Sequence, residues 1–220
     1  MVASNERSPI WILGYIVSVD LWPRSALRRA ALRYARRGWL VVPGASLIGD
    51  RYVCGPMCPT VGCHPALERW ERRASADPSD IEVWWAEAPF SVLLATGGSF
   101  DVIDVPERFG RPAVREARIG PVAVSPEGRW MFFVEPGDAL CTELIAQPGI
   151  VQHDHGSWIA APPTRTPTGQ VRWEVHPNVT RWRLPEPYAV QGLLKRHLPA
   201  TGRATVRDPA PPARHLRHVA

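Results

Sequence analysis

Lysine is almost absent from this 220-residue chain, because all of its 26 basic residues except Lys195 are arginines. Long apolar runs are also absent. The most apolar N-terminal run, residues 10–19, is interrupted by Gly14 and ends at Asp20, well short of the roughly 20 residues that span a membrane. No small-residue cleavage site follows this run, as a signal peptide would require. The sequence therefore predicts a cytoplasmic protein without a membrane segment.

The charge balance is basic, with 26 basic and 21 acidic residues and a net charge of +5. The planar guanidinium group suits bidentate contacts to phosphate, which favours nucleic acid or nucleotides as partners. An arginine-rich composition also arises from a GC-rich genome, so charge alone leaves the partner open. The sequence has no Gly-x-x-x-x-Gly-Lys phosphate loop and no helicase motif. Unwinding of DNA would therefore need a separate helicase or replication protein.

The apolar spacing predicts several short helices and strands. Helices are expected at 25–37, 78–88, 106–118, 138–146 and 188–198, and strands at 39–42, 91–95, 99–105, 122–125, 129–134, 158–161 and 171–175. Ser25 and Asp77 are expected to cap the first two helices, and Ile81, Trp84 and Trp85 are expected to face inward from the second. The Gly97-Gly98 pair favours a tight hairpin between the strands on either side. This interleaving predicts an α+β fold with a mixed, largely antiparallel sheet and flanking helices.

Changes in composition predict one domain with appendages. Residues 1–25 form an N-terminal extension, residues 26–198 a single domain, and residues 43–78 a loop that holds three of the cysteines. Residues 199–220 form a proline-rich tail that carries four arginines against the single acid Asp208. We expect this basic tail to be disordered.

The loop at 43–78 carries a possible metal site. Cys54, Cys58 and Cys63 are separated by three and four residues, and His64 follows at once. Thiolates and imidazole on a short loop are ligands of a structural zinc ion, which would order a segment with little apolar content. Ordinary reduced thiols and a disulfide remain alternatives. Cys141 is expected to be a small core residue.

The strand Phe100 to Val105 carries two aspartates and is followed by Pro106 and Glu107. Because side chains alternate along a strand, Asp104 shares a face with Val102 and Pro106, while Asp101 faces the other way. Asp104 is either an acid of an active site, of the kind that binds divalent metal, or a cap for the following helix. The sequence leaves these two roles open.

Seven motifs, taken in order, resemble a known family. They are the segments 31–39 (ALRYARRGW), 41–43 (VVP), 54–65 with its cysteines, 84–85 (WW), 93–97 (LLATG) with 100–107 (FDVIDVPE), 125–133 (SPEGRWMFF) and 158–164 (WIAAPPT). Together they resemble the bifunctional DNA primase/polymerase N-terminal domain of the archaeo-eukaryotic primase superfamily, in its small actinobacterial branch. The resemblance covers residues from about 26 to 185.

The resemblance implies an RRM-like primase-polymerase core that acts in DNA replication, using Mg²⁺ or Mn²⁺ to join nucleotides on a DNA template. Asp104 matches the first family acid. Pro106, Trp130 and Val151 stand where a second acid, a histidine and a third acid are expected. Further groups for a rearranged catalytic site are the acids Asp101, Glu107 and Asp154, with His153 and His155. The resemblance thus implies a nucleotidyltransferase with a degenerate acidic site.

Two other classes of function stay open. One is a catalytically inactive nucleic-acid-binding or regulatory module that retains the fold, and the other is a small-molecule or interaction protein. By resemblance, nucleotide or nucleic-acid contacts fall to Ser125, Gly128, Arg129 and Arg165. A helical stripe of Arg29, Arg33, Arg36 and Arg37 either tracks a nucleic-acid backbone or is a solvated face. Trp130, Trp173 and Trp182 either stack on bases or belong to the core.

Overall fold

The structure, a computed structural model, describes residues 21–54 and 62–199. The helices are α1 (Leu21–Ala35), α2 (Trp70–Arg73), α3 (Pro78–Glu87), α4 (Glu107–Glu116), α5 (Thr142–Ile145) and α6 (Pro187–Lys195). The strands are β1 (Val41–Gly44), β2 (Ser46–Ile48), β3 (Arg51–Val53), β4 (Ser91–Ala95), β5 (Asp101–Pro106), β6 (Val122–Val124), β7 (Arg129–Val134), β8 (Val151–His153), β9 (Trp158–Ala160), β10 (Arg165–Thr166), β11 (Gly169–Gln170) and β12 (Arg172–Val175). None of these helices has the length and apolar content to cross a membrane.

The strands form antiparallel sheets, which confirms the predicted α+β class. The largest has five strands in the order β12-β6-β7-β5-β8, and a second has three in the order β1-β4-β9. Two short hairpins, β2-β3 and β10-β11, stand beside them. The strands β5 and β7 lie inside the five-stranded sheet, and residues 102–104 of β5 and 130–132 of β7 have a neighbouring strand on both sides.

Each face of the five-stranded sheet covers its own hydrophobic cluster. The first cluster joins Val102 of β5 and Phe133 of β7 to α1, α3 and the three-stranded sheet. The second joins Ile103 and Val105 of β5 to α4, α5 and α6. Neighbouring residues of one strand therefore pack into different clusters, as the alternation of side chains along a strand requires.

Helix α1 begins before the predicted position, at Leu21. Ser25 is therefore inside the helix, and the prediction that it caps the N-terminus is wrong. The predicted boundary between residues 25 and 26 also falls within this helix. A contact made by Arg24 helps to stabilise the additional N-terminal turn of α1, because Nε of Arg24 donates to the carbonyl oxygen of Trp85 at 2.7 Å. That contact places a cation at the C-terminal end of α3, where the helix dipole favours one.

Helix α3 confirms its predicted cap and core. The Asp77 side chain accepts a hydrogen bond from the backbone N of Ser79 at 2.8 Å. Ile81, Trp84 and Trp85 are its buried residues. Pro78 occupies the first turn, where its missing N–H has no intrahelical partner to lose.

Three other local predictions differ from the structure. The Gly97-Gly98 segment does not close a hairpin, because β4 pairs with β1 and β9 whereas β5 pairs with β7 and β8. The helix expected at 138–146 is limited to α5, and before it the backbone N of Leu140 and of Cys141 donate to the side-chain amide oxygens of Gln152 and Gln191. The cysteine loop contains the β2-β3 hairpin and α2 as well as irregular chain.

Candidate functional site

An open cleft of about 630 Å³ lies on the first-cluster face of the five-stranded sheet. We call it the Asp104 cleft. Its polar lining residues are Tyr52, Cys63, Asp104, Ser125, Glu127, Arg129, His153, Ser157 and Thr166, and Met131 and Ile159 are among its apolar ones. The cleft therefore combines carboxylates, cationic groups and hydroxyls over an apolar floor.

The register of the strands sets the position of Asp104. In the β5-β7 pair Asp104 lies opposite Met131, and in the β5-β8 pair it lies opposite Val151. Arg129 and His153 are each two residues from these partners, so both side chains lie diagonal to Asp104 on the same face. Asp104 is thus flanked by a basic residue from each neighbouring strand.

Both flanking side chains contact the carboxylate oxygens of Asp104. Nε of Arg129 donates to both of its oxygens, at 3.1 and 3.2 Å. Nε2 of His153 lies 3.5 Å from Oδ2, and Nδ1 of His153 lies 3.0 Å from the Ser157 hydroxyl. The carboxylate is only 13% exposed, which strengthens these contacts relative to surface ion pairs. Asp104 does not cap α4, whose N-cap is Pro106.

Arg129 is itself held by several acceptors. Its second terminal nitrogen donates to the carbonyl oxygen of Asp104 at 3.2 Å and to that of Gly149 at 2.7 Å. Together with the bonds from Nε, these contacts tie the guanidinium group to β5 and to the segment before β8. Arg129 therefore connects the parts of the sheet around Asp104, and less of its hydrogen-bonding capacity is left for a ligand.

Glu127 provides the second carboxylate of the Asp104 cleft, from the turn between β6 and β7. Its Oε1 accepts hydrogen bonds from the hydroxyls of Thr166 and Thr168, at 2.8 and 2.6 Å. Partial burial raises the pKa of Glu127, but these hydroxyl contacts outweigh it and leave the pKa below its ordinary value. Burial, with the charges of Cys63 and Glu127, raises the pKa of Tyr52 to about 12. Tyr52 therefore remains a neutral donor at physiological pH.

The three positions where the resemblance implies a second acid, a histidine and a third acid can be located in the sheet. Pro106 shares a face with Asp104, and Val151 lies directly opposite it on the same face. Carboxylates at either position would face the Asp104 cleft. Trp130 instead faces the other side and is buried in the second cluster. The structure thus confirms that Asp104 has no same-face carboxylate partner on β5.

The other predicted acids lie in separate places. Glu107 lies in the first turn of α4, pairs with Arg111, and lines a second cleft of about 300 Å³ with Ser125 and Gly128. Asp101 and Asp154 line a third cleft, of about 270 Å³. We call these the Glu107 cleft and the Asp101 cleft. The four acids proposed for a rearranged site are therefore not brought together.

A divalent metal centre does not fit the described residues of the Asp104 cleft as they stand. The two Asp104 oxygens already accept from Arg129, and Glu127 is bound by two threonines. Among residues 21–54 and 62–199, no three His, Cys, Asp or Glu side chains are grouped so that they could hold an ion. A hard cation such as Mg²⁺ prefers several carboxylate and water oxygens, and here one carboxylate is already neutralised by a guanidinium.

The predicted zinc ligands are only partly together. Nε2 of His64 lies 3.2 Å from Sγ of Cys54, so these two could share an ion. Cys63 instead packs against the cluster of Val42, Leu93 and Ala95. Burial raises the pKa of its thiol to about 11, despite a hydrogen bond with Ser91. Cys58 lies outside the described residues.

The predicted stripe of arginines is present at the C-terminal end of α1, with Arg29 and Arg33 on the helix and Arg36 and Arg37 in the turn that follows its last residue. Arg29, Arg33, Arg36 and Arg37 are all exposed, and we call these four residues the basic face. Arg37 lies over the ring of Trp182, with its guanidinium carbon 4.9 Å from the ring centroid. On the other side of α1, Leu27, Ala31 and Tyr34 are buried in the first cluster.

The remaining predicted binding residues have other surroundings. Arg165 is exposed on the β10-β11 hairpin, and Gly128 closes the turn before β7 with a φ of 77°. Trp130 is a core residue, and Trp173 and Trp182 pack against the first cluster. Sequence reasoning missed Glu127 and Tyr52 as cleft residues. It named His153 for a rearranged site but did not predict its contact with Asp104. The signal that locates them is strand register and loop placement, which the local sequence does not contain.

One family comparison relates this sheet and its cleft to known proteins. Among curated proteins, none matches the chain. The family model described as bifunctional DNA primase/polymerase, N-terminal, matches residues 31–189. The match runs from α1 into α6 and includes Asp104 and Arg129. Because it spans most of the chain, this protein belongs to the bifunctional DNA primase/polymerase N-terminal (Prim-Pol) family.

Proposed function

We propose that this member of the primase/polymerase family binds the phosphate backbone of DNA through the basic face, which is formed by α1 and the turn that follows it. The observation that carries the proposal is that none of the ion pairs among the described residues includes Arg29, Arg33, Arg36 or Arg37. Four exposed guanidinium groups on one face, without ion-pair partners among the described residues, repel one another. Binding to a polyanion would relieve that repulsion, and the arginines would release the cations condensed on the DNA.

The dimensions of the basic face suit a nucleic-acid strand. Arg29 and Arg36 are two helical turns apart, which corresponds to roughly 10 Å along the axis. One strand of B-form DNA carries a phosphate about every 3.4 Å of axis, so a span of this length covers several phosphates. The ring of Trp182 supports the guanidinium of Arg37 from one side, which reduces the freedom that this side chain would lose on binding.

The experiment is a binding titration of fluorescein-labelled DNA, single-stranded and duplex, at several salt concentrations. Replacing Arg33, Arg36 and Arg37 by Gln should weaken binding of every sequence by about tenfold or more at 50 mM salt. The slope of log K against log salt should fall by about 0.9 for each lost contact. The matched control replaces Arg51, Arg72 and Arg73, which are exposed elsewhere. Equal effects of the two triple variants would exclude the basic face.

The second candidate function is template-directed nucleotidyl transfer, with Mg²⁺ or Mn²⁺ as cofactor. The Asp104 cleft favours it, because about 630 Å³ is room for a nucleotide and Ser125, Glu127 and Asp104 are within it. Activity would require Arg129 to release Asp104. We would measure incorporation of NTPs and dNTPs with each metal, using Asp104→Ala and the surface control Asp50→Ala. Incorporation that only Asp104→Ala abolishes would establish this activity, and its absence in folded protein would leave DNA binding alone.

The remaining elements of the proposal concern the core, cofactor and partners. We infer that the five-stranded sheet is the RRM-like core of a domain at 26–198, that the protein acts in the cytoplasm on DNA and nucleotides, and that a separate helicase or replication protein supplies unwinding. A structural zinc ion is proposed at Cys54, Cys58 and His64, with Cys63 as a further ligand if its side chain turns. Elemental analysis of purified protein tests the zinc: Cys58→Ala should lose it, and Cys141→Ala should keep it.

A further inference from the structure

The ring of Trp182 lies beneath the guanidinium group of Arg37. The guanidinium carbon is 4.9 Å from the ring centroid, which is within the range of a cation–π contact. Arg37 is exposed, whereas Trp182 is half-buried. The ring therefore covers the guanidinium group from the protein side and leaves its outer side open to solvent.

Several contacts fix the Trp182 ring. Its Nε1 donates to Oδ1 of Asn178 at 2.7 Å, and its backbone N donates to the carbonyl oxygen of Pro177, also at 2.7 Å. The ring makes T-shaped contacts with Trp39 and Tyr34, at centroid distances of 5.2 and 6.4 Å. A guanidinium group that rests on a fixed ring is oriented before a ligand arrives, so less conformational freedom is lost when the ligand binds.

The backbone that places this ring is strained. Residues 176–183 follow β12, and we call them the Trp182 turn. Within it, Arg181 and Trp182 have φ values of 53° and 63°, in the left-handed region that residues with a Cβ seldom adopt. Such conformations persist only where the surrounding structure enforces them, and they concentrate at binding and active sites. Two of them in succession make the Trp182 turn a candidate for binding.

The Trp182 turn also adds positive charge. Arg181 and Arg183 are exposed and belong to none of the ion pairs among the described residues, and positions 175–185 contain no acid. Burial, and then the positive charge of Arg33, lower the pKa of His176, so the start of the turn also lies near the basic face. Two guanidinium groups without ion-pair partners therefore extend the charge of the basic face onto a second segment.

A guanidinium group with one open side matches the face of a nucleobase. The group is planar and delocalised and stacks on aromatic rings, and unpaired bases stack on arginine planes in single-stranded sites. In a duplex the base faces are covered by the neighbouring base pairs, so an exposed arginine reaches only the phosphates. A single strand offers both, because its bases are open and its phosphates remain charged.

We propose that Arg37, supported by Trp182, is a stacking platform for an unpaired base of single-stranded DNA, and that Arg181 and Arg183 bind neighbouring phosphates. The proposal rests on the DNA binding proposed above and adds to it a preference for single strands. The phosphate contacts serve single and double strands alike, whereas the platform serves only a strand whose bases are unpaired.

The experiment compares three fluorescein-labelled DNAs of equal length on the full chain at low salt: a thymidine homopolymer, an abasic strand and a duplex. The parent protein should bind the thymidine strand about fivefold or more tightly than the abasic strand, as one stacked base provides. Arg37→Lys keeps the charge but loses the planar group, so it should remove most of this preference and change the duplex Kd by about twofold at most. In the matched control Arg36→Lys, both single-strand Kd values should change by the same factor.

A second variant tests the ring. Trp182→Leu leaves every charge in place and should also lose the preference for the thymidine strand, and circular dichroism checks its fold. If it does not fold, Arg37→Lys still decides the proposal, because Arg37 is exposed.

The outcomes separate this proposal from the proposed function. Equal affinity for the thymidine and abasic strands, with binding that replacement of Arg33, Arg36 and Arg37 by Gln weakens, would overturn the platform and leave DNA binding through the basic face in place. A preference that persists in folded Arg37→Lys protein would also overturn the platform, since the base would then stack elsewhere. Absence of salt-dependent binding to any of the three DNAs would overturn both proposals.

Discussion

Gly110 shows how closely single residues fit in the second cluster. It lies in α4, and a Cβ built on it would be 2.3 Å from Cβ and 2.5 Å from Cγ of Trp130. Because Trp130 is buried at the centre of the five-stranded sheet, its ring has little room to move. The absence of a side chain at position 110 thus allows α4 to approach the sheet closely.

Gly110→Ala should therefore destabilise the fold, although alanine is the better helix former. Overpacking of this kind costs about 1–3 kcal/mol, and urea unfolding measures it. The matched control is Gly192→Ala in α6, where a Cβ would meet nothing within 4 Å. That variant should gain about 0.4–1 kcal/mol from reduced freedom of the unfolded chain. A Gly110→Ala protein as stable as the parent would contradict the close approach.

The Cys63 thiol should be unreactive at neutral pH. Burial raises its pKa to about 11 from an ordinary value of 9.0, and only the thiolate is an effective nucleophile. Because the folded pKa is the higher one, the associated stability is present below about 9 and is lost as the pH rises towards 11.

Site-resolved alkylation by iodoacetamide measures this shift. The rate at Cys63 should rise with pH to a midpoint near 11 in folded protein. In urea-unfolded protein the midpoint should return towards the ordinary thiol value. A midpoint that is the same in both states would show that the partly buried surroundings of Cys63 do not raise the pKa of its thiol.

At the scale of single elements, α3 depends on its N-cap. Hydrogen bonds from the side chain and the backbone of Ser79 lower the pKa of Asp77. Because the folded pKa is the lower one, the stability from this cap is present above the ordinary value of 3.8 and is lost as the pH falls below it. The cap should thus contribute to acid unfolding.

Thermal unfolding of two variants separates the contribution of the Asp77 capping hydrogen bonds from the contribution of its negative charge. Asp77→Ala removes the acceptor and should lower the Tm at neutral pH. Asp77→Asn keeps an acceptor and should remain closer to the parent at neutral pH, while losing part of the acid dependence. Asp50→Ala, in an exposed turn, is the matched control. If Asp77→Ala has the same Tm as the parent protein at every pH, the cap makes no measurable contribution to stability.

The elements differ in how far the sequence predicts them. Helix α3 was predicted with its cap and buried residues because cap, proline and apolar spacing are all local signals. The separation of Asp101 from Asp104 was also predicted, since it follows from strand alternation alone. The prediction of a hairpin at Gly97-Gly98 was wrong, because a turn motif does not show which strands the two flanking strands pair with. Likewise, the contacts of Asp104 with Arg129 and His153 depend on the register of three strands.

At the scale of the whole molecule, the two hydrophobic clusters share their central strands. Met131 and Phe133 of β7 belong to the first cluster, whereas Trp130, Phe132 and Val134 belong to the second. Neither cluster can lose β5 or β7 without exposing the other. The described fold should therefore unfold as one cooperative unit, despite having two separate apolar interiors.

Hydrogen exchange in a pair of cavity variants tests this coupling. Ile81→Ala opens the first cluster and Leu144→Ala the second, and each removes a side chain with no exposed surface. Each should cost about 2–5 kcal/mol, and each should speed exchange equally at the Leu94 amide of the first cluster and the Val105 amide of the second. If each variant speeds exchange only in its own cluster, the two interiors open independently, and the shared strands do not transmit stability across the sheet.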